Sequence, residues 1–230
     1  MATLPHRAST FDELLHAARA LVGGGRRAVL GITGSPGAGK STLAAHLLAE
    51  LAPSPPDDLS PREWVAHVPM DGFHLADVEL DRLGRHDRKG APNTFDALGY
   101  VNLLRRLRAD DEAVVHAPCF ERELEQPIAG AVPVRTAARL VITEGNYLLL
   151  DEGPWAGVRP LLDAVWYCAP DDGVRLDRLV RRHLAFGKPP QAAHEWAHGT
   201  DERNARLVDA TRDRADVVVP GVLLDTLTPA

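Results

Sequence analysis

Residues 34–41 read Gly34-Ser-Pro-Gly-Ala-Gly39-Lys40-Ser41 and fit G-x-x-x-x-G-K-[ST]. Each position has a chemical reason. The glycines let the backbone wrap until several N–H groups converge on a phosphate. The helix that follows adds the partial positive charge of its N-terminus. The Lys40 ammonium suits the β- and γ-phosphates of a nucleotide, and the Ser41 hydroxyl suits Mg²⁺. Gly34, Ser35, Pro36, Gly37, Ala38, Gly39, Lys40, Ser41 and Thr42 are therefore the expected nucleotide cradle. Lysine is scarce, at 3 residues against 23 arginines. A motif that demands it arises by accident in roughly one chain in 700 of this composition.

Phosphoryl transfer to a hydroxyl also needs a carboxylate that takes the proton and lies near the metal. In an open α/β sheet, ligands gather beyond the carboxyl ends of the strands, and two acids occupy such ends. Asp71 follows Trp-Val-Ala-His-Val-Pro-Met, and Glu144 follows Leu-Val-Ile-Thr. Asp71 reads as the base, and Glu144 as the acid that holds Mg²⁺ directly or through water. His74, three residues past Asp71, either touches substrate or satisfies its own turn. Arg175, Arg178 and Arg182 recur at helical spacing and share one face, with Leu176, Leu179 and Val180 expected to point away. Three guanidiniums on one face would either clamp a phosphate or form a solvated surface. His194-Glu-Trp-Ala-His198 satisfies the zinc-protease signature H-E-x-x-H. Chance supplies that match in roughly one chain in 45, prolines and a glycine crowd it, and no third ligand follows at a suitable spacing.

These residues need a scaffold. The spacing predicts helices over 11–22, 41–51, 96–108, 172–186 and 201–214. Buried strands are expected at 28–33, 64–69, 113–117, 140–143, 164–168 and 217–220. Strands apolar throughout, alternating with helices, imply a parallel sheet covered on both faces. The stretch 53–61 reads as a proline-rich loop and 81–94 as a charged, mobile one. At 230 residues, 45% hydrophobic, the chain suits one α/β domain, 1–230, with no linker between two cores. The net charge of −6 argues against a non-specific nucleic-acid binder. No apolar run is long enough to span a membrane, and the first residues lack a signal-peptide layout. With two cysteines, Cys119 and Cys168, a disulfide scaffold is excluded and a cytosolic setting expected. A homodimer is allowed for.

The phosphate loop, Pro69-Met-Asp-Gly-Phe-His74, Glu144-Gly-Asn-Tyr147, the arginine-rich segment and Arg214-Ala-Asp-Val-Val-Val-Pro220 together resemble the uridine kinase / pantothenate kinase / phosphoribulokinase superfamily. The likeness runs in order from about residue 27 to 221. It is nearest a bacterial nucleoside/nucleotide kinase-like branch, which shares Gly90-Ala-Pro-Asn-Thr-Phe-Asp96, Arg182-His183 and Asp201-Glu-Arg-Asn-Ala-Arg-Leu-Val208. The resemblance implies a three-layer P-loop kinase fold with a mainly parallel, about five-stranded sheet and an Arg-rich lid near 172–190. It further implies transfer of the γ-phosphate of MgATP to a hydroxyl of a nucleoside, sugar or pantothenate-like metabolite. By the same likeness Asp71 is the catalytic aspartate, Glu144 the metal-associated acid and Arg182 the lid arginine. Arg178 and Lys188 lie on the nucleotide side, with Lys188 one residue short of the family spacing beside adenine. Asp96, Phe120 and Arg122 lie on the acceptor side. Uridine kinases resemble Tyr-x-Phe with a nearby histidine where this chain has Cys119-Phe120-Glu121-Arg122, so the acceptor stays open. The other class of function is a nucleotide-dependent switch that needs no acceptor pocket.

Overall fold

The computed structural model describes residues 5–24, 26–56, 59 and 63–227. Most of its strands form one parallel sheet, as the apolar runs require. The strands are β1 (His6–Arg7), β2 (Ala28–Thr33), β3 (Val65–Pro69), β6 (Leu140–Glu144), β7 (Ala164–Ala169) and β8 (Val217–Pro220), in the order β1-β8-β7-β2-β6-β3. Every neighbouring pair is parallel. The five longer strands are those expected from sequence, and β1 adds a two-residue edge.

Because side chains alternate along a strand, each central strand feeds two cores. Leu30, Ile32, Ile142 and Trp166 face Leu14 of α1 (Phe11–Ala20) and Leu43 and Leu47 of α2 (Lys40–Leu51). Val29, Val141, Val165 and Tyr167 face Tyr100 and Leu104 of α4 (Ala97–Ala109). Thr10 opens α1 by accepting from the Glu13 N–H, as a capping box predicts. The shorter α3 spans Asp77–Arg82. The C-terminal third carries α5 (Asp172–Ala185), α6 (Pro190–Trp196), α7 (Glu202–Asp209) and α8 (Gly221–Leu224). No helix of the described residues is long and apolar enough to cross a membrane.

Three sequence expectations need correction. The run 113–117 is no parallel core strand. It belongs to β4 (Val114–Glu121), which pairs antiparallel with β5 (Gln126–Arg135) in a separate two-stranded sheet. Val115, Ala117 and Val134 are buried while their neighbours along the strands are not, so this is a half-buried hairpin. Pro127, Gly130 and Pro133 hid β5 from a propensity reading. The charged stretch 81–94 holds 3₁₀ turns at His86–Arg88 and Pro92–Thr94 and is tied down by hydrogen bonds, Lys89 to Asp77 at 2.7 Å among them. The helix expected over 201–214 is instead a π turn, Ala197–Asp201, then α7 and a 3₁₀ turn at Arg212–Arg214. The proline-rich loop 53–61 and the reading of the first residues fall in part outside the described residues.

Arg27 ties the lower end of the sheet to the hairpin. Its side chain is buried, donates to the carbonyls of Leu107, Arg135 and Ala138 at 2.8–3.0 Å, and pairs with Asp110 at 2.6 Å. Without Arg27 those three carbonyls lose their donor, while Asp110, 20% exposed, keeps only its pair with Arg139 at 2.5 Å. Arg27→Met is expected to lose about 1–3 kcal/mol of unfolding free energy through the carbonyls left without a donor. A urea midpoint unchanged from that of the natural chain would refute this role.

Candidate active site

Register places the functional groups. Glu144, the last residue of β6, lies beside Ile32 of β2 on one side and Pro69 of β3 on the other. The chain leaves β2 into Gly34 and β3 into Asp71, so the phosphate loop, Asp71 and Glu144 emerge together at the carboxyl edge. A buried chain from the Tyr100 hydroxyl to Thr143 (2.7 Å) and on to the Val68 carbonyl (2.6 Å) fixes β6 against β3 one residue before that edge.

The loop needs its glycines. Gly37 has φ +79° and a Cβ there would lie 2.8 Å from the Arg175 carbonyl oxygen, so a side chain is excluded on both grounds. Gly39, at φ 86°, opens α2 without a side-chain cap, which leaves the first N–H groups of that helix for a ligand. Lys40 is buried and its Nζ donates to the carbonyls of Gly34 and Ser35 at 3.0 and 3.1 Å. Burial lowers its pKa against the pull of Glu144 and Asp71. Ser35 is fixed from behind by Asp209 of α7 at 2.6 Å. Thr42 sits half-buried in the first turn of α2.

Ser41 Oγ donates to Glu144 Oε1 at 3.1 Å. Burial pushes the Glu144 carboxyl up, and the charge of Asp71 adds to that push. Asp71 is the opposite case. Burial alone would raise it, but His74, Arg122, Lys40 and Arg182 together hold it below the ordinary carboxylate range. Arg122, at the end of the hairpin, donates to Asp71 Oδ2 at 2.8 Å. His74 packs between Phe95 and Phe120, at centroid distances of 4.0 and 4.8 Å. Its Nδ1 lies 2.8 Å from the Asp71 carbonyl, so that nitrogen carries the proton and donates. Burial lowers the pKa of this imidazole against the pull of the Asp71 charge.

These groups line one cavity of about 430 Å³. Pro36, Lys40, Ser41, Asp71, His74, Phe120, Arg122, Glu144, Arg182 and Lys188 from the sequence analysis all reach it. Arg178 does not line it; it lies beside the loop, 3.5 Å from where a Gly39 Cβ would be, and pairs with Asp225. Lys188 lies over the Trp196 ring at 4.7 Å.

Two expectations fail here. Asp96 does not reach this cavity. Its carboxylate caps α4 by accepting from the Gly99 N–H at 2.8 Å, and it borders a second cavity of about 880 Å³ behind Phe95. Arg175 does not share an open face with Arg182. It is buried with Leu179 against Gly37, with Asp172 and Glu202 neutralising it at 3.0 and 2.7 Å, because positions four apart stack on one side of a helix. His194 and His198 are exposed and stack on each other at 4.2 Å. Among the described residues no group of three or more His, Cys, Asp or Glu side chains could hold a metal ion.

The structure adds lining residues that spacing did not single out: Asn146, Lys89, and the pair His183–Asp201 at 2.7 Å. Asp201 ends the π turn, so helical periodicity misplaces it. Gly90 carries its own signal: Tyr147 and Asn204 both donate to its carbonyl, drawing the 81–94 segment onto the site.

Gly72 marks the closest approach between the Asp71 turn and the hairpin, because a Cβ there would overlap the Pro118 carbonyl. Gly72→Ala is expected to push β4 off the turn and break the Asp71–Arg122 pair, at a cost of about 1–3 kcal/mol. ATP affinity measured by calorimetry should stay unchanged, since the displaced atoms lie outside the phosphate loop. A variant as stable as the natural chain would contradict the contact.

The model of the Phosphoribulokinase / Uridine kinase family matches residues 29–227. A second model, of the methylmalonyl-CoA mutase-associated GTPase MeaB, matches only residues 2–54, a segment that includes the phosphate loop. Putative uridine kinase C227.14 of Schizosaccharomyces pombe is 33% identical over 95% of this chain and 92% of its own length. Uncharacterized protein YggC of Escherichia coli is 35% identical over 90% of this chain and 84% of its own. Among solved structures, a putative fructose transport system kinase from Silicibacter sp. TM1040 superposes with a TM-score of 0.81 at 35% identity, covering 93% of this chain and 100% of that one. YFH7 of Saccharomyces cerevisiae, at 21% identity and a TM-score of 0.73, shares the fold, covering 91% of this chain and 97% of that one. With its phosphate loop, parallel sheet and family match over most of its length, the chain belongs to the phosphoribulokinase / uridine kinase family of P-loop kinases.

Proposed function

We propose that this chain, acting as one kinase domain, transfers the γ-phosphate of MgATP to a hydroxyl of a small metabolite such as a nucleoside, a sugar or a pantothenate-like alcohol. One observation carries the reading: the phosphate-loop groups Lys40 and Ser41 and the carboxylate of Asp71 line a single cavity. That cavity continues past the loop to His74, Phe120 and Arg122, which a switch without an acceptor would not need.

The roles follow from charge and position. The loop amides and the N-terminus of α2 bind the triphosphate, and Lys40 with Arg182 offsets the charge that develops on the transferring group. Ser41 and Glu144 are hard oxygen donors 3.1 Å apart, and two carboxylates turned toward one cavity repel unless a cation sits nearby, so the set fits Mg²⁺. When bound, that ion supplies Lewis-acid neutralisation of phosphate oxygens. Asp71 takes the proton from the acceptor hydroxyl. Arg182 and Lys188, toward the C-terminal end of the 172–190 segment, close over the nucleotide and exclude water, the competing nucleophile.

Asp71→Asn is expected to bind ATP as the natural chain does and to lose about two to four orders of magnitude in turnover. An unchanged kcat in a coupled ADP assay would remove Asp71 from its role. Glu144→Gln should raise the Mg²⁺ concentration needed for half-maximal rate, and an unshifted Mg²⁺ titration would free Glu144 from metal binding.

A further inference from the structure

We propose that the acceptor carries, beside its reacting hydroxyl, a carboxylate or phosphate monoester, and that Arg122 and Lys89 hold that anionic group. The proposal rests on the kinase reading above and names the substrate class of the same site. Arg122 and Lys89 come from different elements, the hairpin and the 81–94 segment, and converge on one ring. Their cationic groups lie 5.2 and 5.5 Å from the Phe120 centroid. With His74 tilted against the same ring at 4.8 Å, Phe120 is surrounded by polar neighbours and offers no free platform on which a base could stack.

Both cations have donors to spare. Arg122 has five N–H groups, and the Asp71 contact at 2.8 Å uses one. Lys89 has three, and Asp77 Oδ1 and the Glu125 carbonyl, each at 2.7 Å, use two. Two further carboxylates border this end of the cavity. Asp87 is held by Arg88 at 3.1 Å, and Glu125 Oε2 stands 4.0 Å from Lys89. Their side chains are 76% and 52% exposed, so water screens them, whereas Lys89 is 12% exposed.

The Arg122–Asp71 pair gives the arrangement a mechanistic consequence. A carboxylate pinned by a guanidinium is a weak proton acceptor. An acceptor whose own anion draws Arg122 away returns basicity to Asp71 at the moment a hydroxyl is in place. A neutral polyol has nothing to exchange for the guanidinium.

The test is a coupled ADP assay with acceptors matched in skeleton: glycerol, glycerate and glycerol 3-phosphate; fructose, gluconate and fructose 6-phosphate; and uridine. An anionic arm should exceed its neutral partner at least about tenfold in kcat/KM, the value of one charge-assisted contact. The carboxylate and phosphate arms tell the two anions apart. Arg122→Gln should erase that preference chiefly through KM, and Arg122→Lys should restore part of it. Equal or better turnover of a neutral acceptor would overturn the proposal and leave the kinase reading standing. No ADP release in any arm would remove both. Binding is read separately: with the loop saturated by a non-hydrolysable ATP analogue and Mg²⁺, inorganic phosphate should raise the melting temperature of the natural chain. An equal rise in the Arg122→Gln, Lys89→Gln double variant would also overturn the assignment.

Discussion

Two carboxylates brought to one end of one sheet must be balanced by charge, and the site is organised around that constraint. Asp71 and Glu144 share a desolvated cleft where like charges repel strongly. Register gives neither any freedom to retreat, because Glu144 is flanked by β2 and β3 and Asp71 begins just past β3. The protein answers with asymmetry. Cations gather on the Asp71 side and hold it ionised, while Glu144 has a hydroxyl, that of Ser41, and a buried ammonium. One carboxylate thus rests ionised, and the other is poised to gain from a cation.

The same constraint explains why three loops that differ in sequence distance meet here. The phosphate loop supplies Lys40, the hairpin supplies Arg122, and the segment drawn in by Tyr147 and Asn204 supplies Lys89. Each cation is fixed by a carbonyl or carboxylate that has another structural duty. Lys40 holds the loop's own carbonyls, Arg122 holds the hairpin to the Asp71 turn, and Lys89 links α3 to the start of β5 through Asp77 and Glu125. Electrostatic order and loop order are therefore one property of this site.

How much of this a sequence discloses depends on where the information sits. Gly34 to Ser41, Asp71 and Glu144 were legible because strand, turn and functional residue are contiguous and the end of a continuous apolar run marks the strand end. Arg122 and Phe120 were legible only through family likeness, since β5 carries prolines and a glycine that mask its pairing. Asp96 misled because a residue opening a helix after Thr-Phe satisfies both a substrate contact and an N-cap, and the Gly99 N–H takes it. Lys89 gave no signal of a site, and Asp201 was marked only as the start of a helix and of a shared family segment. Their positions depend on a 3₁₀ segment and a π turn, where neither helical nor strand periodicity holds.

The arginine-rich helix shows why an even spacing of charges need not mean an even role. Its first half is anchored: Asp171 caps it, Arg175 is neutralised on two sides, and Leu179 is fully buried beside the phosphate loop. From Arg181 burial falls away, with His183, paired to Asp201, still largely covered. Arg182, Ala185 and Phe186 are exposed, and Gly187 turns the chain at φ 85° before Lys188 meets Trp196. Local opening follows low burial, so the proposed closure falls to the segment beyond Leu179, while the part before it walls the loop. Burial at every fourth residue decides which arginine supports the fold and which is free to meet a phosphate.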